Sequence, residues 1–188
     1  MATVKFELPE ITTVTFRQEK GDKDYGSCLW ARFNFDTMNY SLSIESDCGN
    51  YCYGWYPTRD KETFLHLCSR FDRLYFVDKI SEKSVVNGDD TFKCLMAMLE
   101  DYDDYGYEML TDKQVQEIEE SCHANRNDHA VLGAIQRALE DTAFDGSCSE
   151  YDIACCIEMD YPRGAKKIAE IFRDYIQPEI RKITGYKP

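Results

Sequence analysis

The apolar residues of this chain change period once, near Thr58, and that change limits the folds open to it. Before it, alternation rules. Val4, Phe6 and Leu8 alternate ahead of Pro9, and Val14 and Phe16 follow it. Beyond the polar loop EKGDKDYG, Leu29, Ala31, Phe33 and Phe35 fall on one face and Trp30, Arg32 and Asn34 on the other. After a turn at 36–39, Tyr40, Leu42 and Ile44 oppose Ser41, Ser43 and Glu45. A period of two with one apolar face predicts an antiparallel meander buried on one side.

After Thr58 the spacing becomes three and four. Phe64, Leu65, Cys68 and Phe71 predict one helix, and Phe92, Leu95, Met96 and Leu99 a second, capped by Asp89 or Asp90. Thr111 and Gln114 form a capping box opening a third, with Val115, Ile118 and Cys122 inward. Asn127 or Asp128 caps a fourth carrying Val131, Leu132, Ile135 and Leu139. Pro162 suits a first helical turn, and Ile168, Ile171, Phe172, Tyr175 and Ile176 stripe a long last helix. Strands followed by helices predict an α+β fold, an N-terminal antiparallel β-meander packed against about five C-terminal helices. With no repeat and no Pro-, Gly- or Ser-rich linker, residues 1–188 read as one domain, 1–57 mainly strands and 58–188 mainly helices.

Composition sorts the functional classes. No apolar run approaches the ~20 residues that span a bilayer. The start, MATVKFELPEITTV, lacks the basic-then-apolar pattern of a signal peptide, so the expected location is the cytoplasm. Nine cysteines are an odd number in a chain too large to need staples, and they read as free thiols. The net charge of −13 is unevenly spread. From Asp89 to Asp160 there are 19 acids against 4 bases, a net −15; from Pro162 onward, 7 bases against 3 acids give +4. Direct nucleic-acid binding by the acidic face is thereby disfavoured, and a basic protein surface is the expected partner.

Three local patterns invite chemistry. The stretch DCGNYCYGWYP packs two cysteines among aromatics. In one extended strand Cys48 and Cys52 would stand about 13 Å apart, beyond disulfide reach or a shared zinc. A Gly49-Asn50 turn would bring them nearer, but no second Cys or His pair follows. The stretch reads as a sheet corner with Tyr51, Tyr53 and Trp55 on one face, and no metal is expected there. Asp101, Asp103, Gly106 and Asp112 fall at positions 1, 3, 6 and 12 of a calcium loop. Tyr105, Glu108 and the short Asp112 depart from that pattern, which favours a solvated acidic helix end. His66 with Cys68, and Cys122 with His123, point apart on helices. Without HExxH, GxSxG or a phosphate-cradling glycine loop, the chain reads as no enzyme and as needing no cofactor.

The acidic block interleaves its carboxylates with Tyr, Phe and Ile. Such a surface can dock on a basic nucleic-acid channel, with carboxylates in place of phosphates and aromatics as contact area. The expected partner-binding residues are Asp101, Asp103, Asp104, Glu108, Glu117, Glu119 and Glu120, with Tyr102, Tyr105 and Tyr107.

The order Ser46, Asp47, Gly49, Tyr51, Tyr53, Trp55, then Phe64-Leu65, then Lys79-Ile80, resembles small proteins encoded by phages and prophages. In those, a glycine-marked aromatic G-x-Y-x-Y-x-W strand leads into a helix. The resemblance covers residues 40–80 and carries no active-site residues onto this chain. It implies a phage protein. Small acidic phage proteins include anti-CRISPR proteins, several of which occupy the DNA-binding surfaces of Cas effectors. By class and charge the expectation is therefore an acidic inhibitor, most specifically an anti-CRISPR that blocks the nucleic-acid channel of a Cas nuclease. The alternatives are a metal-dependent protein or enzyme using the 101–112 loop, and a phage accessory protein without an inhibitory role.

Overall fold

The computed structural model describes residues 10–22, 24–57, 62–103, 110–140, 142 and 144–187. The expected first strand at Val4, Phe6 and Leu8 lies outside them. Strands β1 (Ile11–Arg17), β2 (Trp30–Asp36), β3 (Ser41–Ser46) and β4 (Tyr51–Gly54) form one antiparallel sheet in chain order. Register puts Val14 opposite Phe33, and Phe33 opposite Ile44. Phe16, Ala31, Phe33, Phe35, Leu42 and Ile44 are consequently buried on one face. Leu29, placed on that face by alternation, precedes the strand and is exposed. Tyr51 and Tyr53 are half-buried and Trp55 buried, while Cys52 and Gly54 face solvent, as the corner predicts.

The fold is α+β, a meander followed by helices, and the chain divides into two compact units. The first comprises 1–82 and 162–188. Its helices are α1 (Phe64–Cys68), α2 (Arg73–Ile80), α7 (Arg163–Ile171) and α8 (Gln177–Thr184), with a π-helical turn at Phe172–Ile176 between the last two. Rings join the sheet to these helices. Phe35 and Trp55 meet Phe64, Phe33 meets Phe172, and Phe76 stacks on Phe172 at 3.9 Å between centroids.

The second unit, 83–161, holds α3 (Gly88–Asp103), α4 (Asp112–His123), α5 (Asp128–Leu139) and α6 (Glu150–Cys155). Two short antiparallel strands, β5 (Val85–Val86) and β6 (Met159–Asp160), join its ends. Leu95, Leu99, Ile118, Cys122, Val131, Ile135 and Ile153 make its core.

Two expected helices prove subdivided. The Phe64–Phe71 stripe ends early because the Asp72 carboxylate accepts the Tyr75 N–H at 2.8 Å and starts α2 afresh. The terminal stripe is broken by the π turn, which shifts the helical phase, and Tyr175, expected inward, is exposed. Helix α6 carries too short an apolar pattern to be foreseen.

Candidate functional site

The helices of 83–161 are set by their first residues. Thr111 accepts the Gln114 N–H while Gln114 accepts the Thr111 N–H, so both halves of the expected capping box are present. Asn127 caps α5 and Ser149 caps α6, where Asp152 completes a second box. The Ser149 hydroxyl and N–H, with help from the Tyr102 hydroxyl, hold the Asp152 carboxyl below its usual range. Acids in these first turns suit the positive end of the helix dipole.

Other acids are not explained by folding. Residues 83–161 carry 19 Asp and Glu against five Lys and Arg, a net −14, which leaves +1 for the rest of a chain totalling −13. Glu100, Asp101 and Asp103 occupy the last turn of α3, at its negative end, and that turn has no basic residue. Each such charge is unfavourable there by about 0.3–1 kcal/mol at low salt. Of the expected contact residues, Asp101 is exposed, and Glu117, Glu119 and Glu120 lie on the solvent side of α4, away from buried Ile118 and Cys122. Glu117 pairs with Lys113 at 3.2 Å, and Glu120 accepts from Gln116 at 2.9 Å. Tyr102 is half-buried against the core, so it holds the fold as well as offering area. Asp104, Tyr105, Tyr107 and Glu108 lie outside the described residues, and with them most of the calcium-like 101–112 loop.

The first unit contains a grouping that local spacing did not reveal. The thiols of Cys28 and Cys48 and the Asp47 carboxylate lie within 4.8 Å of one another. Asp47 accepts the N–H groups of Leu29 at 2.9 Å and Trp30 at 3.3 Å, and Cys28 Sγ lies 3.3 Å from Asp47 Oδ1. Those bonds tie the β1–β2 loop to the β3–β4 turn. The turn itself is fixed: Gly49 sits at φ +116°, Ser46 Oγ donates to the Gly49 carbonyl, and the Tyr51 hydroxyl donates to the Cys48 carbonyl at 2.9 Å. Gly164 of α7 packs so close that a Cβ there would stand 2.1 Å from the Cys48 carbonyl oxygen. Cys52 is exposed on β4 and takes no part. Burial first, then Cys48 and Asp47, push the Cys28 thiol far above its ordinary value. Burial works against the Asp47 carboxylate, yet the Leu29 N–H, the Cys28 thiol and the Trp30 N–H together hold it below the usual range.

Beside this grouping is a cavity of about 550 Å³ lined by Asp24, Ser27, Cys48 and the α7 residues Arg163, Lys166 and Lys167. Ser27 Oγ is buried without a hydrogen-bond partner.

No helix among the described residues is long and apolar enough to cross a membrane. No curated protein and no solved structure gives a significant match to the chain. A family model described as a phage family does match, over residues 7–182, nearly the whole length and far more than the 40–80 stretch that carried the resemblance. The chain belongs to that phage family, Phage_phiTE_072.

Proposed function

We propose that this phage protein is an acidic inhibitor that binds a basic, nucleic-acid-handling surface of a host protein. In its most specific form it is an anti-CRISPR that covers the nucleic-acid channel of a Cas nuclease. The observation that carries the reading is the set of acids at the wrong end of α3. Charge that serves only solubility has no reason to collect where the helix dipole opposes it. The amount is also of the right order, since the net −14 of residues 83–161 equals the phosphate charge of about seven base pairs of duplex. Exposed Asp101, Glu119 and Glu120 would meet Lys and Arg that otherwise hold phosphates. Tyr105 and Tyr107 would add aromatic area.

The test is capture from a host lysate on the immobilised full chain, followed by elution with heparin or duplex DNA. A nucleic-acid enzyme that elutes with either polyanion, and whose cleavage or binding the added chain inhibits, is the expected result. If nothing captured is displaced by polyanions, or the displaced enzyme is not inhibited, the reading is wrong.

A further inference from the structure

We propose that Cys28, Asp47 and Cys48 form a zinc site that fastens the β1–β2 loop to the β3–β4 turn. The donor set selects the metal. Two thiolates and one carboxylate suit a borderline-soft divalent ion, whereas calcium and magnesium take oxygen ligands. The geometry is close to what zinc requires. Ligand bonds of about 2.0–2.3 Å around a tetrahedral ion separate neighbouring donor atoms by about 3.3–3.8 Å. The Cys28 Sγ to Asp47 Oδ1 distance of 3.3 Å falls in that span, and all three donors lie within 4.8 Å.

The donors are also held in place before any ion arrives. Asp47 is oriented by two backbone N–H groups, yet a carboxylate has about four lone-pair positions, so capacity for a metal remains. Cys48 is held through its N–H, bonded to Ser46 Oγ at 3.1 Å, and through its carbonyl, bonded by Tyr51 and packed against Gly164. Such outer partners orient metal ligands elsewhere.

Charge balances as well. Binding releases one proton from each thiol, and Zn²⁺ with two thiolates and one carboxylate leaves a centre of net −1. The groups facing it through the neighbouring cavity are mainly cationic: Arg163, Lys166 and Lys167 on α7, against Asp24 and Glu170. Three protein ligands leave a fourth position for water or for a small molecule in the cavity that Cys48 lines.

The experiment uses the untagged full chain, prepared in reductant without chelator and dialysed against zinc, with bound metal measured by mass spectrometry. About one zinc per chain is expected. C28S and C48S should each lower retention about tenfold or more, and C52S should leave it unchanged. Cobalt in place of zinc should give a thiolate-to-cobalt absorption band and the intense visible bands of a tetrahedral site. Because C28S removes a buried group and can unfold the chain, alkylation mapping of the unsubstituted chain supplies a second reading. Zinc should slow modification of Cys48 and leave Cys52 unprotected. A chain that takes up no zinc, C28S and C48S variants that both keep it, or equal alkylation of Cys48 with and without zinc would each overturn the site.

Discussion

Trp55 donates its indole N–H to the Tyr75 hydroxyl at 3.0 Å, and its ring stacks on Phe71 at 5.1 Å between centroids. This pair ties the end of the meander to α2. Trp55 also meets Phe64, at 5.4 Å, so one side chain touches both short helices that follow it. Trp55→Ala should destabilise the fold by about 3–5 kcal/mol, the usual cost of emptying a large buried aromatic. Tyr75→Phe, which removes only a hydroxyl from a partly exposed ring, should cost no more than about 1.5 kcal/mol. Urea titrations followed by circular dichroism measure both. An unchanged midpoint for Trp55→Ala would mean that the aromatic row is a free surface.

Gln177 does a different job. It is buried, and its amide donates to the Cys68 and Phe71 carbonyls at 3.2 and 2.6 Å, satisfying the chain where α1 ends. Gln177→Leu keeps the volume but takes its donor from the Phe71 carbonyl, at about 1–3 kcal/mol, while the Cys68 carbonyl keeps the Phe71 N–H at 3.3 Å. Gln177→Glu should also destabilise at neutral pH, because a carboxylate cannot donate. If the leucine variant melts with the parent, water reaches the Phe71 carbonyl.

The outline of this fold was legible where signals are local. The Thr111 capping box, the Asn127 cap and the alternation of Ala31, Phe33 and Phe35 each concern neighbours in sequence, and each is present. What failed to show depends on competition or on distance. Periodicity joins Phe64 through Phe71 in one helix because spacing alone does not weigh the Asp72 cap against continuation. The π turn at Phe172–Ile176 breaks the apolar stripe by shifting its phase, which exposes Tyr175. Cys28 and Cys48 are 20 residues apart, and the pairing of Ala31 with Ser46, the Leu29 and Trp30 N–H groups on Asp47, and the Cys48 thiol on the Ser27 carbonyl bring them together. No spacing rule contains that. The acidic block, by contrast, was plain in composition, but its opposition to the α3 dipole required the helix boundary.

Buried thiols give the second unit an alkaline limit. Burial, and secondarily the charge of Glu119, push the Cys122 thiol from 9.0 up to about 11. Burial followed by the neighbouring Cys94 pushes Cys156 up to about 12. A raised pKa means that the folded state keeps a proton which the unfolded chain loses. The associated stability is therefore whole below pH 9 and is lost as pH rises through 11. Unfolding free energies should fall across that window, and less steeply in Cys122→Ala than in the parent. Identical slopes would place the alkaline loss elsewhere. At pH 7 the same burial predicts that maleimide reacts with exposed Cys52 and Cys155 well before Cys68 or Cys122.

The acidic surface supports the sharpest test of function. Asp101, Asp103, Asp104 and Glu108 are close together in sequence, and changing them together to Asn or Gln keeps their shapes while removing four charges. Folding should survive, and stability should rise slightly, because Asp101 opposes the helix dipole in the last turn of α3. Binding should move the opposite way. Complementary fields act mainly on encounter, so the association rate with the captured partner should fall while dissociation changes less. The parent's association should also weaken with salt, since exposed charges are screened over ~8 Å at physiological ionic strength, and the variant should show a shallower salt slope. Stability and binding changing in opposite directions is the signature of charge kept for a partner at the expense of the fold. A variant that binds as fast as the parent, with the same salt slope, would reduce the block to a solvated face.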